Sequence, residues 1–264
     1  KRMTAPLEFK IQNQLGILTL NRPDRLNALV PEMAEGFRDA LRQAAGPEVK
    51  ALLVRGEGRA FCAGGDIGWM AQCLQEKRVE EMNELLDLGA EVAYGFFLLP
   101  KPVIALVHGP AAGAGMSLAL AADLRWASDH ANFSMAFAKI GLHPDWGGSV
   151  LLSRLVSPSK AMELMWTGDT LTAEQALALG LVNEVIPSDQ FETAVAKKMA
   201  RLAAAPLTLL GTIKQSAQRN LGLDASTFKS LLEAEGQEMK RMMNRPNAQE
   251  GIRAFLEKRP PRFS

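Results

Sequence analysis

Residues 101–123 read KPVIALVHGPAAGAGMSLALAAD, an apolar strand pattern that breaks into small residues and then continues as an apolar helix pattern. Side chains this small let a ligand approach the main chain closely, and the first N–H groups of a helix have no partner within the helix. Those groups favour negative charge. The segment therefore predicts a turn that points backbone N–H groups at an anion or a developing oxyanion.

A dinucleotide-binding turn is also built from a strand, glycines and a helix. After Gly113 and Gly115, its G-x-G-x-x-G fingerprint needs a glycine at position 118, where this chain has Leu118. The spacing therefore argues against a dinucleotide fold. A structural interpretation stays open at this point, in which the small residues only allow the helix to pack closely.

The bulk composition is that of a globular protein. With 264 residues and 47% hydrophobic content, the chain can bury a substantial core, as one large domain or as a main domain with an appendage. Thirty basic and 29 acidic residues leave a formal charge of +1, which argues against a nucleic acid or an anionic membrane as the main partner. No stretch has the length of apolar residues that a membrane span needs, and the first residues do not resemble a signal sequence. We therefore expect a soluble, cytoplasmic protein.

Residues that bind metals or form disulfides are few. The sequence has two cysteines, Cys62 and Cys73, which fit a reducing cytosol better than a disulfide framework. Its three histidines and its acidic residues show no metal-ligand spacing. We predict no metal site.

Strand and helix patterns alternate over the first two thirds of the chain. Ile17–Leu20, Ala51–Val54 and Val103–Val107 predict buried strands, and apolar residues between them repeat at helical spacing. Beyond Gly147 the pattern becomes helical, with one late strand predicted at Leu181–Ile186. This order is typical of an α/β architecture that ends in a helical region.

A second strand-to-turn segment, RAFCAGGDI at Arg59–Ile67, again places glycines before a helix pattern. Two such turns can converge on one ligand. At this point the chain resembles the crotonase (enoyl-CoA hydratase/isomerase) superfamily, and the likeness runs nearly from end to end. The stretches that carry it are Asn21–Leu29, Ala60–Ile67, Pro102–Asp123, Ile140–Gly148, Thr167–Ala176 with Gly180–Asn183, and Glu250–Lys258.

The resemblance implies a fold, an assembly and a ligand. The fold is a crotonase-like spiral of ββα units, with a core at 1–200 and a helical trimerisation region at 201–264. The assembly is a homotrimer or a dimer of trimers. The ligand is an acyl-CoA thioester, in which coenzyme A is part of the substrate, and no separate cofactor is expected. The N–H groups of Gly65 and Ala114 would form an oxyanion hole on the thioester carbonyl. The family usually has glycine where Ala114 stands, and alanine keeps the N–H.

By the same resemblance, coenzyme A would lie along two loops and reach the C-terminal helix. The first loop is Arg25–Ala28, and the second is Ala63–Ile67. Arg25 stands where lysine is common, and this change keeps the charge. Phe255 and Lys258 would reach the nucleotide of a neighbouring subunit, although a solvated lysine is an alternative for Lys258. The candidate contacts are Arg25, Leu26, Ala28, Ala63, Asp66, Ile67, Phe255 and Lys258.

The sequence lacks the two glutamates with which hydratases of this superfamily handle a water and a proton. Matching the motifs puts Ser117 and Phe137 at those positions. A serine hydroxyl would itself need activation, and phenylalanine has no proton to exchange. We therefore do not expect ordinary hydration by two glutamates. Phe137 is instead a candidate substrate contact.

One acid, Asp145, remains near the expected thioester. Isomerases and some other members carry an acid in this region, and moving a double bond needs only one base and an oxyanion hole. Apolar neighbours such as Phe137, Leu142 and Trp146 would raise the pKa of Asp145 and make it a stronger base. His143 can tune Asp145 or contact the substrate. In the structural alternative, Asp145 caps the following helix and His143 lies on a turn surface.

Our leading hypothesis is an enoyl-CoA isomerase that converts 3-enoyl thioesters into 2-enoyl thioesters, with Asp145 as the base. One alternative is a hydratase-like lyase that uses Asp145 with a second group. Another is a non-catalytic member that binds acyl-CoA. A minor alternative is an aryl-CoA dehalogenase, in which an aspartate is the nucleophile. Those enzymes have tryptophan where this chain has Phe137, and they use a histidine that the region before Lys101 lacks.

Overall fold

The protein has an α/β fold in which two sheets are covered by helices. A computed structural model describes residues 5–264. The strands are β1 (Leu7–Gln12), β2 (Leu15–Leu20), β3 (Ala51–Gly56), β4 (Val103–Val107), β5 (Pro110–Ala112), β6 (Leu124–Ser128), β7 (Asn132–Ser134), β8 (Thr170–Thr172) and β9 (Glu184–Ile186). The helices are α1 (Ala34–Ala45), α2 (Ile67–Glu76), α3 (Val79–Leu98), α4 (Ala114–Ala121), α5 (Gly148–Leu155), α6 (Pro158–Thr167), α7 (Ala173–Ala178), α8 (Phe191–Ala203), α9 (Leu207–Asn220), α10 (Ala225–Met243) and α11 (Pro246–Leu256).

The larger sheet has six strands in the order β1-β2-β3-β4-β6-β9. All neighbours are parallel except β1, which runs antiparallel to β2. Strands that are covered on both faces read as continuous apolar runs, and β4 is buried at every position. The three strands predicted early in the chain are confirmed as β2, β3 and β4, whereas the late strand is shorter than predicted and is confined to β9.

The second sheet is small and contains β5, β7 and β8. Two parallel bridges, Leu29–Gly65 and Cys62–Ala111, extend its edge toward the earlier parts of the chain. Successive turns of the chain therefore contribute first to the larger sheet and then to this second layer. This arrangement agrees with the spiral that the family resemblance implies.

Local signals explain where several helices begin. Thr172 forms a capping box with Gln175 at the start of α7, and Ser157 caps α6 with Pro158 at its first position. Asp224 accepts the Thr227 N–H at 2.7 Å and caps α10. These caps fix the residues at which α6, α7 and α10 begin.

The C-terminal helices belong to the same compact body as the sheets. The predicted division between 1–200 and 201–264 falls inside α8. Helix α10 packs along α3, and α11 packs against α2. None of the helices in the described part of the chain, residues 5–264, combines the length and apolar character that a bilayer crossing requires.

Candidate active site

The two glycine turns lie side by side. Cys62 bridges Ala111 in parallel register, and the Ala112 N–H donates to the Cys62 carbonyl at 3.0 Å. On the other side, the Leu29 N–H donates to the Gly64 carbonyl at 2.8 Å. Three segments that are distant in the sequence are thereby stacked, and their turns open on the same side.

Close approach of the backbones explains the small residues in these turns. A Cβ atom on Gly115 would lie 2.1 Å from the Cys62 carbonyl oxygen, a distance that no alanine tolerates. Gly64 has a φ of +93°, and a Cβ there would lie 3.4 Å from the Ala114 nitrogen. The glycines therefore bring the main chain of one turn against the start of α4.

Two N–H groups are left for a ligand. Ala114 is the first residue of α4, and Gly65 follows the bend at Gly64. Neither N–H donates a hydrogen bond to any group in residues 5–264, and both residues line the same cavity. Such a pair of donors can stabilise the negative oxygen of an enolate or a tetrahedral species.

The cavity beside these donors has a volume of about 360 Å³ and a mostly apolar wall. Among the described residues that line it, the ionisable side chains are Asp145 and Lys139. Four methionines give the wall adaptable side chains. The apolar residues that line it include Leu26, Leu29, Ile67, Trp69, Met70, Met82, Leu85, Leu86, Phe137, Ile140, Leu142, Trp146, Met239, Met243 and Phe255.

Asp145 is a buried acid with an unpaired oxygen. Its side chain is 5% exposed, and its Oδ1 atom has no hydrogen-bond partner in residues 5–264. Burial raises the pKa of Asp145 well above its usual value, and the nearby Glu235 carboxylate raises it further. No side chain of its own segment caps α5, so the alternative in which Asp145 caps that helix is wrong.

The residue after Asp145 fixes the direction of this turn. Trp146 has a φ of +54°, and its ring packs edge-on against Phe37 with centroids 5.8 Å apart. A Cβ on Gly89 of α3 would lie 2.3 Å from the indole of Trp146, so the glycine makes room for that ring. The indole is anchored in the core while the neighbouring carboxyl lines the cavity.

Comparison with known proteins agrees with this geometry. A family model described as enoyl-CoA hydratase/isomerase matches residues 10–264. The chain belongs to the enoyl-CoA hydratase/isomerase family. It is 38% identical to 1,2-epoxyphenylacetyl-CoA isomerase of Escherichia coli, with 94% of each chain covered. It is 32% identical to trans-2-decenoyl-[acyl-carrier-protein] isomerase of Streptococcus mutans, with 97% of each covered.

A solved structure supports the same assignment. An enoyl-CoA hydratase from Mycobacterium avium subsp. paratuberculosis superposes with a TM-score of 0.88 at 35% identity, covering 98% of this chain and 99% of the other. Relatives in the family are thus named both hydratase and isomerase. The family shows the fold and the class of enzyme.

Five of the predicted substrate contacts of this family member line the cavity. They come from both early loops, the turn after β7 and helix α11. Phe255 is 58% exposed and stands at the cavity mouth as an apolar side chain facing solvent. The five residues are Leu26, Ala63, Ile67, Phe137 and Phe255.

The other predicted contacts lie outside the cavity wall. Arg25 and Lys258 are exposed. Asp66 caps α2 through the Trp69 N–H and pairs with Arg22 at 2.9 Å, while the Ala28 carbonyl accepts a second bond from Arg22. Arg22, which the sequence analysis did not single out, therefore joins the first loop to the second glycine turn.

Asn27 is a second residue whose role in the first loop the sequence analysis missed. It is fully buried, and its amide donates to the carbonyls of Glu57 and Ala60 at 2.8 Å each. Its side-chain oxygen accepts the Arg22 N–H at 2.9 Å. Asn27 thereby holds the loop of Leu26 against the segment that leads into the second turn.

The hydratase positions hold a buried hydroxyl and an aromatic ring. Ser117 is fully buried, and its Oγ lies 3.4 Å from the Gly113 carbonyl, one turn earlier in α4. A Cβ on Gly148 would lie 2.4 Å from this hydroxyl, so the space next to Ser117 is filled. Ser117 does not line the cavity, whereas Phe137 does.

The remaining candidates lie elsewhere. The His143 Nδ1 lies 2.7 Å from the Pro144 carbonyl, and this half-buried ring is not part of the cavity wall. The described residues contain no group of three side chains placed to ligate a metal. A larger open cleft of about 1070 Å³ runs between α2 and α11, and in its lining Glu250 pairs with Arg253 and Arg259.

Proposed function

We propose that this family member is an enoyl-CoA isomerase that moves a double bond from the 3 position to the 2 position of an acyl-CoA thioester. The observation that carries the proposal is the pairing of one buried carboxyl, Asp145, with two free backbone N–H groups around one apolar cavity. A single base and an oxyanion hole are the groups that such a shift needs.

The reaction begins when the thioester oxygen accepts hydrogen bonds from Gly65 and Ala114. Asp145, as a carboxylate, removes a proton from the α carbon, and the electron pair of that C–H bond forms a dienolate whose oxygen is held by the two N–H groups. The protonated Asp145 then returns the proton to the γ carbon. No proton or water is gained or lost overall, and the product is the conjugated thioester.

The environment of Asp145 suits it to this step. An aspartate at its ordinary pKa is a weak base for a carbon acid, because its pKa lies far below that of the α C–H group. The raised pKa of Asp145 makes the difference between the two pKa values smaller. The apolar wall also excludes bulk water from the dienolate, which limits competing reactions. Activity is therefore expected to rise with pH as Asp145 loses its proton.

Hydration is the less suitable reaction at this site. Water addition needs groups that activate a water and protonate the α carbon, and the two hydratase positions hold Ser117 and Phe137. Asp145 is the one carboxyl group among the described residues that line the cavity. A hydratase-like lyase would need a second acid or base there.

The test is product analysis with matched substrates. The purified protein is incubated with 3-enoyl-CoA and with 2-enoyl-CoA thioesters of several chain lengths in heavy water, and the products are resolved by mass spectrometry. We expect 2-enoyl-CoA from the first set, with deuterium entering by exchange on the base. Accumulation of 3-hydroxyacyl-CoA from the second set would favour the lyase. Binding of the thioesters without turnover of any would favour the non-catalytic alternative.

A further inference from the structure

A second buried carboxylate, Glu235 of α10, stands behind the Asp145 turn. Its side chain is 5% exposed. Its Oε1 accepts the Gly147 N–H at 2.6 Å, and its Oε2 accepts the Ser149 N–H at 2.9 Å. The Ser149 hydroxyl donates to the same Oε2. All of these bonds go to the segment that begins two residues after Asp145 and opens α5.

These bonds make Glu235 the cap of a helix to which it does not belong. Helix α5 has no cap from a side chain of its own segment, and its first N–H groups are met by the Glu235 carboxylate. A carboxylate at a helix N-terminus is favoured by the unpaired N–H groups and by the helix dipole. The arrangement therefore favours the charged form of Glu235.

The two carboxyls differ in what stabilises their charge. Burial raises the pKa of both groups, but the hydrogen bonds from Ser149 and Gly147 hold down the pKa of Glu235. The hydrogen bond that lowers the pKa of Asp145 comes from its own backbone alone, and its Oδ1 is unpaired in the described residues. The hydrogen bonds therefore stabilise the charged form of Glu235 more than that of Asp145, and a negative charge on Glu235 opposes one on Asp145.

We propose that Glu235 is a positioning residue for the base: its carboxylate holds the turn that aims Asp145 at the cavity, and its fixed negative charge makes Asp145 a stronger base. The inference rests on the proposed isomerase function and deepens it. By taking the cap position, Glu235 leaves the Asp145 carboxyl free for substrate. By its charge, it favours the protonated form of Asp145 that follows proton abstraction.

Other charged groups near the pair are few and mostly at the surface. His143, on the same loop, lowers the pKa of Glu235. Lys139, from the turn after β7, lines the cavity and is exposed. The helices packed around the pair carry ion pairs near their surface, among them Asp87 with Lys240, Glu91 with Arg38, Glu233 with Lys229 and Glu238 with Arg241. Glu235 is thus the main negative charge facing Asp145.

The experiment compares Glu235→Gln with two controls that keep the charge, Glu235→Asp and Ser149→Ala. In each protein the pH profile of isomerisation is measured, and the Asp145 carboxyl is titrated by NMR after ¹³C-carboxyl labelling of aspartate, with Asp145→Asn assigning the signal. In Glu235→Gln we expect the rising limb of the profile and the Asp145 titration to move about one pH unit lower. In both controls we expect the rising limb of the pH profile to stay at the same pH as in the wild type, and only the maximal rate to be lower.

A purely structural Glu235 predicts a different result. Glu235→Gln would then reduce the plateau and leave both the limb and the Asp145 titration unmoved, and this outcome would overturn the proposal. If Glu235→Gln does not fold, the order in which Asp145 and Glu235 titrate in the wild type tests the proposal. For this measurement the glutamate carboxyls are labelled as well. Asp145→Asn should remove the step at higher pH, and survival of that step would assign it to Glu235 and contradict the proposal.

The NMR titration needs no substrate, so the two proposals can fail separately. A wild-type protein without isomerase activity, but with the expected shift in Glu235→Gln, would contradict the proposed function alone. An active wild type with an unmoved Asp145 titration would contradict the role of Glu235 alone.

Discussion

The carbonyl oxygen of Cys62 accepts the N–H of Ala112 at 3.0 Å, and this bond sets the register between the two glycine turns. The free N–H of Gly65 follows three residues after Cys62, and the free N–H of Ala114 follows two residues after Ala112, beyond the bend at Gly113. The placement of the two free N–H groups therefore depends on a contact between backbone atoms. A substitution at Gly115, the glycine that permits this close contact, tests its importance.

Gly115→Ala is expected to disrupt the site and the fold together. A methyl group at this position would lie 2.1 Å from the Cys62 carbonyl oxygen, so the two turns must separate. We expect a loss of about 3 kcal/mol in the free energy of unfolding, or a failure to fold. Gly236→Ala is the control, because a Cβ there meets nothing within 4 Å. In mid-helix it should stabilise by up to about 1 kcal/mol. Thermal unfolding of both variants checks the pair.

The donor at Ala114 can be removed by proline. Ala114→Pro deletes the N–H at the first position of α4, where a proline ring is best tolerated in a helix. We expect kcat/KM to fall roughly 100- to 1,000-fold. Ala114→Gly keeps the N–H and should retain most of the activity. Equal activity in both variants, each shown to be folded by circular dichroism, would contradict the oxyanion role of this group.

Asp145→Asn is expected to make the stability of the protein less sensitive to rising pH. Because the folded-state pKa of Asp145 is raised, the folded protein holds this proton more tightly than the unfolded chain does. The wild type therefore loses stability as pH rises from about 4 through the raised pKa, by up to about 1.4 kcal/mol per pH unit. The amide does not titrate, so the stability advantage of Asp145→Asn should grow over that range. Chemical denaturation at several pH values measures it, and a constant difference would argue against a raised pKa.

Ser117→Ala is expected to leave isomerisation nearly unchanged. The hydroxyl is buried outside the cavity wall and contacts the Gly113 carbonyl at 3.4 Å. We expect kcat to change by less than about threefold, since the hydroxyl is neither nucleophile nor base in the proposed reaction. A loss of activity comparable to that of Asp145→Asn would show that Ser117 takes part in the chemistry.

Much of the central fold could be predicted from local sequence. The apolar run of β4 and the small residues after it admit few other structures, and both glycine turns lie where the sequence places them. The edge strand β1 was missed although its sequence, LEFKIQ at Leu7–Gln12, alternates apolar and polar residues as a half-buried strand does. The short strands of the second sheet were missed because three residues carry too little pattern.

The site was predictable where it depends on the turns and on Asp145, and not where it depends on distant contacts. Glu235 lies 88 residues from Gly147, its hydrogen-bond partner, and stands in a helix rich in exposed acids such as Glu233 and Glu238. Nothing local distinguishes it from these neighbours. Asn27 and Arg22 were likewise missed as structural links, because their partners are supplied by other turns of the spiral.

The proposed isomerisation depends on proton transfer by Asp145. The most direct measurement compares wild type and Asp145→Asn for the rate at which a 3-enoyl-CoA becomes the conjugated 2-enoyl-CoA, with binding of the thioester measured in parallel. The expected result is a loss of roughly 100- to 10,000-fold in kcat with binding retained. An Asp145→Asn variant that isomerises the substrate as fast as the wild type would contradict the account.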